Sequence, residues 1–218
     1  MRICAISDLH GHLPKIEESD LLLIAGDICP TYDHDIRFQY QWLDGSFREW
    51  LKAQPAKDIV LVAGNHDFIF EKNPQGIKDL NLPCHYLENE AKEIAGLKIY
   101  GSPWSLWFWD WAFNSPTREN GGEEFLAKFY KDIPDDTDII ISHGPPFGYG
   151  DLTSRGESTG STALLDRIKQ IKAKYVIAGH IHEAYGKYEI PGIDTIVYNA
   201  SILNLRYKNV NKPTYFEI

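Results

Sequence analysis

The 218-residue chain is short of cysteine, of basic charge and of long apolar runs. Its three cysteines, Cys4, Cys29 and Cys84, are odd in number and scattered. They form neither a disulfide framework nor a CxxC zinc pattern, and they fit ordinary buried thiols in a reducing cytoplasm. Acidic residues outnumber basic ones, 31 to 22, for a formal net charge of −9. A chain of that sign repels duplex DNA, which excludes a broad grip on a nucleic-acid backbone but not on one small phosphate ester. The longest basic cluster, Lys169–Lys174, holds only three lysines. No run approaches the ~18 apolar residues of a membrane span, and residues 1–8 read as a strand rather than a secretory leader. The expectation is a soluble cytoplasmic protein without membrane contact. Linkers, repeats and low-complexity tracts are also missing, so a single domain over residues 1–218 is expected.

With 43% hydrophobic residues the chain can bury a real core. Asp20–Ala25 (DLLLIA) and Asp58–Ala63 (DIVLVA) are continuous apolar runs, too short and too β-branched for amphipathic helices. They read as central strands buried on both faces. Arg2–Ser7, Leu97–Ser102, Asp138–Ser142 and Tyr175–Ala178 repeat the pattern. The tail segments Gly186–Ile190, Asp194–Asn199 and Pro213–Glu217 alternate and predict antiparallel strands and hairpins. Helical spacing marks His34–Gln54, interrupted or bent at Gly45, then Asn120–Lys131 and Thr159–Lys172. The sum is a mixed α/β fold with sheets covered by helices.

Five short motifs follow apolar runs: Asp8-Leu9-His10, Gly26-Asp27, Gly64-Asn65-His66-Asp67, Ser142-His143-Gly144 and Gly179-His180-Ile181-His182. Ligands of open α/β sheets collect at the carboxyl ends of strands, so these ends can converge on one site. Period-2 geometry is expected to put Asp8 and His10 on one strand face, and His180 and His182 on another. Each motif alone is common in ordinary turns and cores. Together, carboxylate, amide oxygen and imidazole form a set for divalent Mn²⁺, Fe²⁺, Zn²⁺ or a similar ion such as Ni²⁺, with Mn²⁺ preferred here. Two such ions carry four positive charges, of which Asp8 and Asp27 cancel two. A hydroxide and a phosphodiester monoanion would neutralise the rest, which favours phosphoester over peptide hydrolysis.

The series D-x-H, G-D, G-N-H-[DE], H, G-H-x-H resembles that of the calcineurin-like metallophosphoesterases, from Asp8 to His182. The stretches Gly101–Trp104, Trp111–Asn114, Ser142–Pro146 and Ile181–Gly186 resemble the metallophosphoesterase-domain-containing proteins first known from vertebrate brain. Relatives of that group include the class III cyclic-nucleotide phosphodiesterases. The resemblance implies a four-layer sandwich, two mixed β-sheets flanked by helices. It implies one metal held by Asp8, His10, Asp27 and His182, and a second by Asp27, Asn65, His143 and His180, bridged by Asp27. Some vertebrate members carry Gly at the first histidine of GHxH; His180 stands here, which implies a full dinuclear site. The chain reads Gly26-Asp27-Ile28-Cys29-Pro30-Thr31 where Ser/Thr protein phosphatases carry GD-x-x-D-R-G, so that branch does not fit.

The expected activity is therefore phosphoric ester hydrolysis on small diesters or cyclic nucleotides, by attack of a hydroxide bridging the metals. Asn65 and His66 would steady the phosphate, His66 would protonate the leaving oxygen, and Asp67 would orient the His66 ring. A nuclease or end-processing enzyme, and a non-catalytic nucleotide-binding protein, are the competing readings. The irregular stretch 102–122 is rich in tryptophan and long enough for a functional loop. Trp104 and Trp107 are its candidates for stacking on a substrate. Arg118 reads as an exposed helix-start charge, and His12, His34 and His85 as structural or surface residues.

Overall fold

A computed structural model describes all 218 residues. The chain opens with β1 (Arg2–Ile6) and β2 (Ser19–Ala25), then α1 (Ile36–Trp42) and α2 (Arg48–Lys52), followed by β3 (Ala56–Val62). Next come α3 (Phe68–Lys72), α4 (Pro74–Leu80), β4 (His85–Tyr86), β5 (Glu90–Ile94) and β6 (Leu97–Ser102). The second half holds α5 (Gly122–Tyr130), β7 (Ile139–Ser142), α6 (Thr162–Ile171), β8 (Tyr175–Ala178), β9 (Gly186–Glu189), β10 (Ile196–Asn199) and β11 (Thr214–Glu217).

These strands form two mixed sheets. One runs β11-β1-β2-β3-β4, with β1 to β4 parallel and β11 antiparallel at its edge. The other runs β5-β6-β7-β8-β10-β9, with a parallel centre and antiparallel edges. The tail is thus only partly antiparallel: β9 and β10 pair as expected, but β10 lies parallel to β8 and β11 crosses to the first sheet.

The apolar runs are continuous because both faces of each central strand are covered. Leu21, Leu23, Val60 and Val62 meet Ile99, Ile139, Ile141 and Ile177 between the sheets. Leu22, Ile24 and Leu61 point the other way, toward Leu43, Phe47 and Phe70 of the α1–α4 layer. Ile140 and Val176 pack under Leu126, Leu164 and Ile168 of α5 and α6. Each fully buried Leu, Ile or Val stabilises the fold by about 1.5–3 kcal/mol. A charge at Leu23 would break the central layer, since nothing there could pair with it.

Local chemistry sets the helix ends. The Asp35 carboxylate accepts from the backbone N–H of Arg37 and Phe38, at 2.8 and 3.2 Å, and starts α1. The interruption expected at Gly45 is one wide π-helical turn, Leu43–Phe47, joining α1 to α2. Ser161 caps α6 by accepting from Leu164 N–H at 3.2 Å. Two short helices lie outside the three expected helical stretches, α3 and α4, the second capped by Asn73 with Pro74 in its first turn.

Candidate metal centre

The loops after β1 and β2 are stitched to each other and to the end of β10. Asp8 N–H donates to Gly26 O at 3.0 Å, His10 N–H to Asp27 O at 2.8 Å, and Ser7 N–H to Ala200 O at 2.8 Å. This stitching holds four non-glycine residues in left-handed backbone: Asp8 (φ 55°), His10 (43°), Asp27 (52°) and His180 (68°). Such conformations cost about 1–3 kcal/mol each. The pleat expectation is corrected accordingly. Asp8 and His10 share a direction because two left-handed residues turn the chain, and His182 lies in a short 3₁₀ turn rather than on an extended strand. The glycine before a ligand has a matching reason. A Cβ on Gly64 would strike Asp27 Oδ1, and one on Gly179 would strike Asp8 Oδ2.

The side chains converge. Asp27 Oδ2 lies 3.5 Å from His10 Nε2 and 3.5 Å from His143 Nε2. On one side His182 Nε2 lies 3.4 Å from Asp8 Oδ1 and 3.3 Å from His10 Nε2. On the other, Asn65 Oδ1 is 2.8 Å from His143 Nε2, and the His180 ring centre is 5.1 Å from that of His143. Three overlapping triads place their ligand atoms within 4.8 Å: Asp8/His10/His182, His10/Asp27/His66 and Asp8/Asp27/His143. His66, which the resemblance places in neither metal's ligand set, is itself a member of one of these clusters.

An outer ring fixes these groups. His143 Nδ1 donates to Ala25 O at 2.8 Å and His182 Nδ1 to Asn204 O at 3.1 Å, so each turns Nε2 inward. Asp27 Oδ1 accepts from His66 N–H at 2.7 Å, and the Asp8 carboxylate accepts from His180 N–H at 3.0 and 3.1 Å.

The electrostatics fit a divalent cation. Asp8 and Asp27 are 0% and 1% exposed, and their ion-pair partners are histidines alone. Burial would push both carboxyls up, yet His182 and His143 hold Asp8 low, and His143 and His66 hold Asp27 well below the usual range. His143 is pushed up to about 9, the Asp27 and Asp8 charges outweighing its burial. Burial drives His10 and His180 down to about 3, so both are neutral and able to ligate. Two buried carboxylates facing inward-turned imidazoles and an amide oxygen, with no lysine or arginine among them, suit a small hard-to-borderline ion. Cys29, two residues past Asp27, is buried with its thiol raised well above the ordinary value, so it offers no thiolate.

Asp67 does not orient His66. Its carboxylate accepts from the N–H groups of Ile28, Cys29 and Gly64 at 3.0, 2.8 and 2.8 Å, clamping the turn that carries Asp27. Asp67 stands at the N-cap position of α3, but its side chain makes no capping bond there. Burial and the Asp27 charge push its carboxyl up to about 6, against the pull of those three bonds. The His66 ring instead meets His34, whose Nε2 is 3.1 Å from His66 Nδ1, and Gln39 Nε2 donates to His66 O at 2.8 Å. Of the two roles expected for His34, structural or surface, the bond to His66 fits the structural one and sets the residue beside the site. A polar residue at helical spacing on the buried face of α1 was the available cue for Gln39; nothing in the sequence links His34 to His66.

A cavity of about 270 Å³ opens over the cluster, lined in part by Asp27, Asn65, His66 and His180. Trp107 lines it, as do Phe108 and Trp111, the latter with its ring centre 4.1 Å from His66. Trp104 does not. Its indole stacks on Phe129 at 4.8 Å and meets Phe113 and Phe125, so the substrate-stacking expectation fails there and packing takes its place. Stretch 102–122 is irregular but tied down: Ala112 N–H donates to Asn65 O at 3.0 Å and Phe113 N–H to Glu71 Oε1 at 2.8 Å. Arg118 is the exposed first residue of a short 3₁₀ turn, as expected, and it also donates to Gly160 O at 2.6 Å and pairs with Glu123. Tyr207, absent from the sequence reading, packs on His10 at 4.9 Å and His182 at 5.3 Å from a tight turn closed by Asn204.

Comparison with known proteins finds chains similar to this one. The profile described as calcineurin-like phosphoesterase matches residues 1–184. Human "Metallophosphoesterase domain-containing protein 1" is 29% identical across all of this chain and 71% of its own length. Among solved structures, phosphopantetheinyl hydrolase of Mycobacterium tuberculosis superposes with a TM-score of 0.60 at 14% identity, covering 94% of this chain and 90% of that one. A 5'-nucleotidase precursor from Thermus thermophilus gives 0.50 at 13% identity, covering 91% and 48%. At these identities the two structures bear on the fold alone.

Proposed function

Because this chain belongs to the calcineurin-like phosphoesterase family, we propose that it is a dinuclear-metal phosphodiesterase of small diesters, cyclic nucleotides among them. The observation that carries the reading is Asp27 Oδ2, equidistant at 3.5 Å from His10 and His143. One ion would be held by Asp8, His10, Asp27 and His182, the other by Asp27, Asn65, His143 and His180. Two divalent cations, Mn²⁺ being the preferred pair, would supply Lewis acidity and an activated water. In the reaction a bond forms between water oxygen and phosphorus, and the phosphorus–ester oxygen bond breaks. The departing oxygen takes a proton from His66, which solvent then restores, and the proton lost by water passes to solvent. His34 occupies His66 Nδ1, which leaves Nε2 to carry that proton toward the cavity. Asn65 steadies the phosphate beside it. A nuclease would need a basic path to the site, which a chain of net charge −9 with no lysine or arginine in its cavity does not offer.

The test is to strip the protein with chelator, restore Mn²⁺, and assay bis(p-nitrophenyl) phosphate beside p-nitrophenyl phosphate, with His180→Ala as control. Mn²⁺-dependent cleavage favouring the diester and collapsing in the variant is expected. Two bound ions without turnover under any metal would overturn the hydrolase reading.

A further inference from the structure

The cavity over the cluster is walled by aromatic and aliphatic groups: Trp107, Phe108, Trp111, Leu205 and Tyr207. Trp107 and Phe108 are 50% and 52% exposed, which is unusual for residues of this size and leaves their faces free. The wall is continuous with the chemistry, since Phe108 is 5.4 Å from Trp111 and 6.5 Å from His180, ring centre to ring centre. The charge of the lining is equally telling. It includes no lysine or arginine, and its one acid outside the cluster is Glu183. Neither Arg155 nor Arg206, on the neighbouring turns, belongs to it.

A second phosphate would find no cation there other than the metals, and Glu183 would repel it. At about 270 Å³ the cavity lies just under the usual 300–1,000 Å³ of small-molecule sites. It holds a phosphoryl group and one ring system, not a pair of acyl chains. Resting on the phosphodiesterase reading, we infer that the site selects singly charged phosphodiesters with one planar apolar arm, which lies against Trp107 and Phe108. Turnover of compounds bearing a diphosphate or triphosphate chain is disfavoured by the same wall.

The experiment is calorimetric titration of the Mn²⁺-loaded full chain with methyl phenyl phosphate and with dimethyl phosphate, two diesters of equal charge that differ only in the ring. The phenyl compound is expected to bind about tenfold tighter, 1.4 kcal/mol, the scale of one aromatic contact. Trp107→Ala and Phe108→Ala together should bring the ratio close to one, and Trp107→Phe should keep most of it. Phenyl diphosphate should bind no tighter than phenyl phosphate. A wild-type ring preference under about threefold, or one unchanged in the double variant, overturns the assignment of the arm. A diphosphate bound about tenfold tighter overturns the charge rule. Turnover of bis(p-nitrophenyl) phosphate is scored separately. Its absence would end the phosphodiesterase reading, while the ring preference in binding would stand or fall on its own.

Discussion

The candidate metal ligands sit on turns at buried strand ends, and Asp8, Asp27, His143 and His182 are each held by a further hydrogen bond. The aromatic wall beside them is made of half-exposed side chains on an irregular segment and a tight turn, anchored mainly through backbone. The first region accepts strain, with four ligand residues in left-handed backbone, because the surrounding sheets over-determine it. In the second, Trp107, Phe108, Leu205 and Tyr207 stand at least 40% exposed, while Trp111 packs against the core. On the proposed reading, reaction chemistry is tied to the core and the choice of substrate to the surface.

Breaking the buried region should have the largest effect. Asp27→Asn keeps an oxygen for His66 N–H but removes the charge shared by His10 and His143. Turnover should drop by about 1,000-fold or more, the several kcal/mol that metal clamping supplies. Metal content per chain should drop with it. A variant that kept two ions and near-native rate would show that Asp27 is not the bridge.

The same region makes the stripped protein sensitive to pH. His143 is held up to about 9 and His182 is also raised, so the folded state favours their protonated rings. That stability is fully present below the unfolded value of about 6.5 and is lost as pH rises through the folded value. His10 and His180, lowered to about 3, act oppositely: their contribution is lost as pH falls below 6.5. Chelator-treated protein should therefore melt highest near pH 6.5 and several degrees lower at pH 9. Mn²⁺ binding, which needs neutral imidazole, should tighten over that interval. A flat melting profile in the stripped protein would deny the His143–Asp27 pairing.

His34 lies between the two regions, half-buried and bound to His66. His34→Ala should slow esters with poor leaving groups by about 10–100-fold, the usual cost of losing an orienting partner. p-Nitrophenolate needs little protonation, so its esters should be affected far less. Metal content should not change. Equal losses on both substrate types would point to general damage rather than to ring orientation.

Much of the buried region was legible. Runs such as DLLLIA and DIVLVA announce strands covered on both faces, and the motifs after them mark the ends that converge. What was illegible depends on contacts distant in sequence. No local pattern says that Asp8 and Asp27 turn left-handed, because the cause is their stitching to each other. Strand β5, Glu90–Ile94, is charged and exposed, and only its pairing with β6 makes it a strand. Helix α4 was a different case, since Asn73-Pro74 is a readable cap and first turn. Asp67 ends the motif directly after His66, so a role beside that ring looked natural, yet its carboxylate is consumed by the turn 39 residues upstream.

Two tryptophans three residues apart give the smallest and sharpest test of the division. Trp104 packs among Phe113, Phe125 and Phe129, whereas Trp107 stands half-exposed at the cavity. Trp104→Ala should cost about 3 kcal/mol in urea unfolding, the low end for a large buried ring because the indole is only partly covered. Its KM for bis(p-nitrophenyl) phosphate should stay near native. Trp107→Ala should leave stability within about 0.5 kcal/mol and raise KM by roughly tenfold, one aromatic contact. If Trp107→Ala instead destabilised the fold and spared KM, the wall would be a packing surface, and substrate choice would have to lie with the groups on the metals themselves.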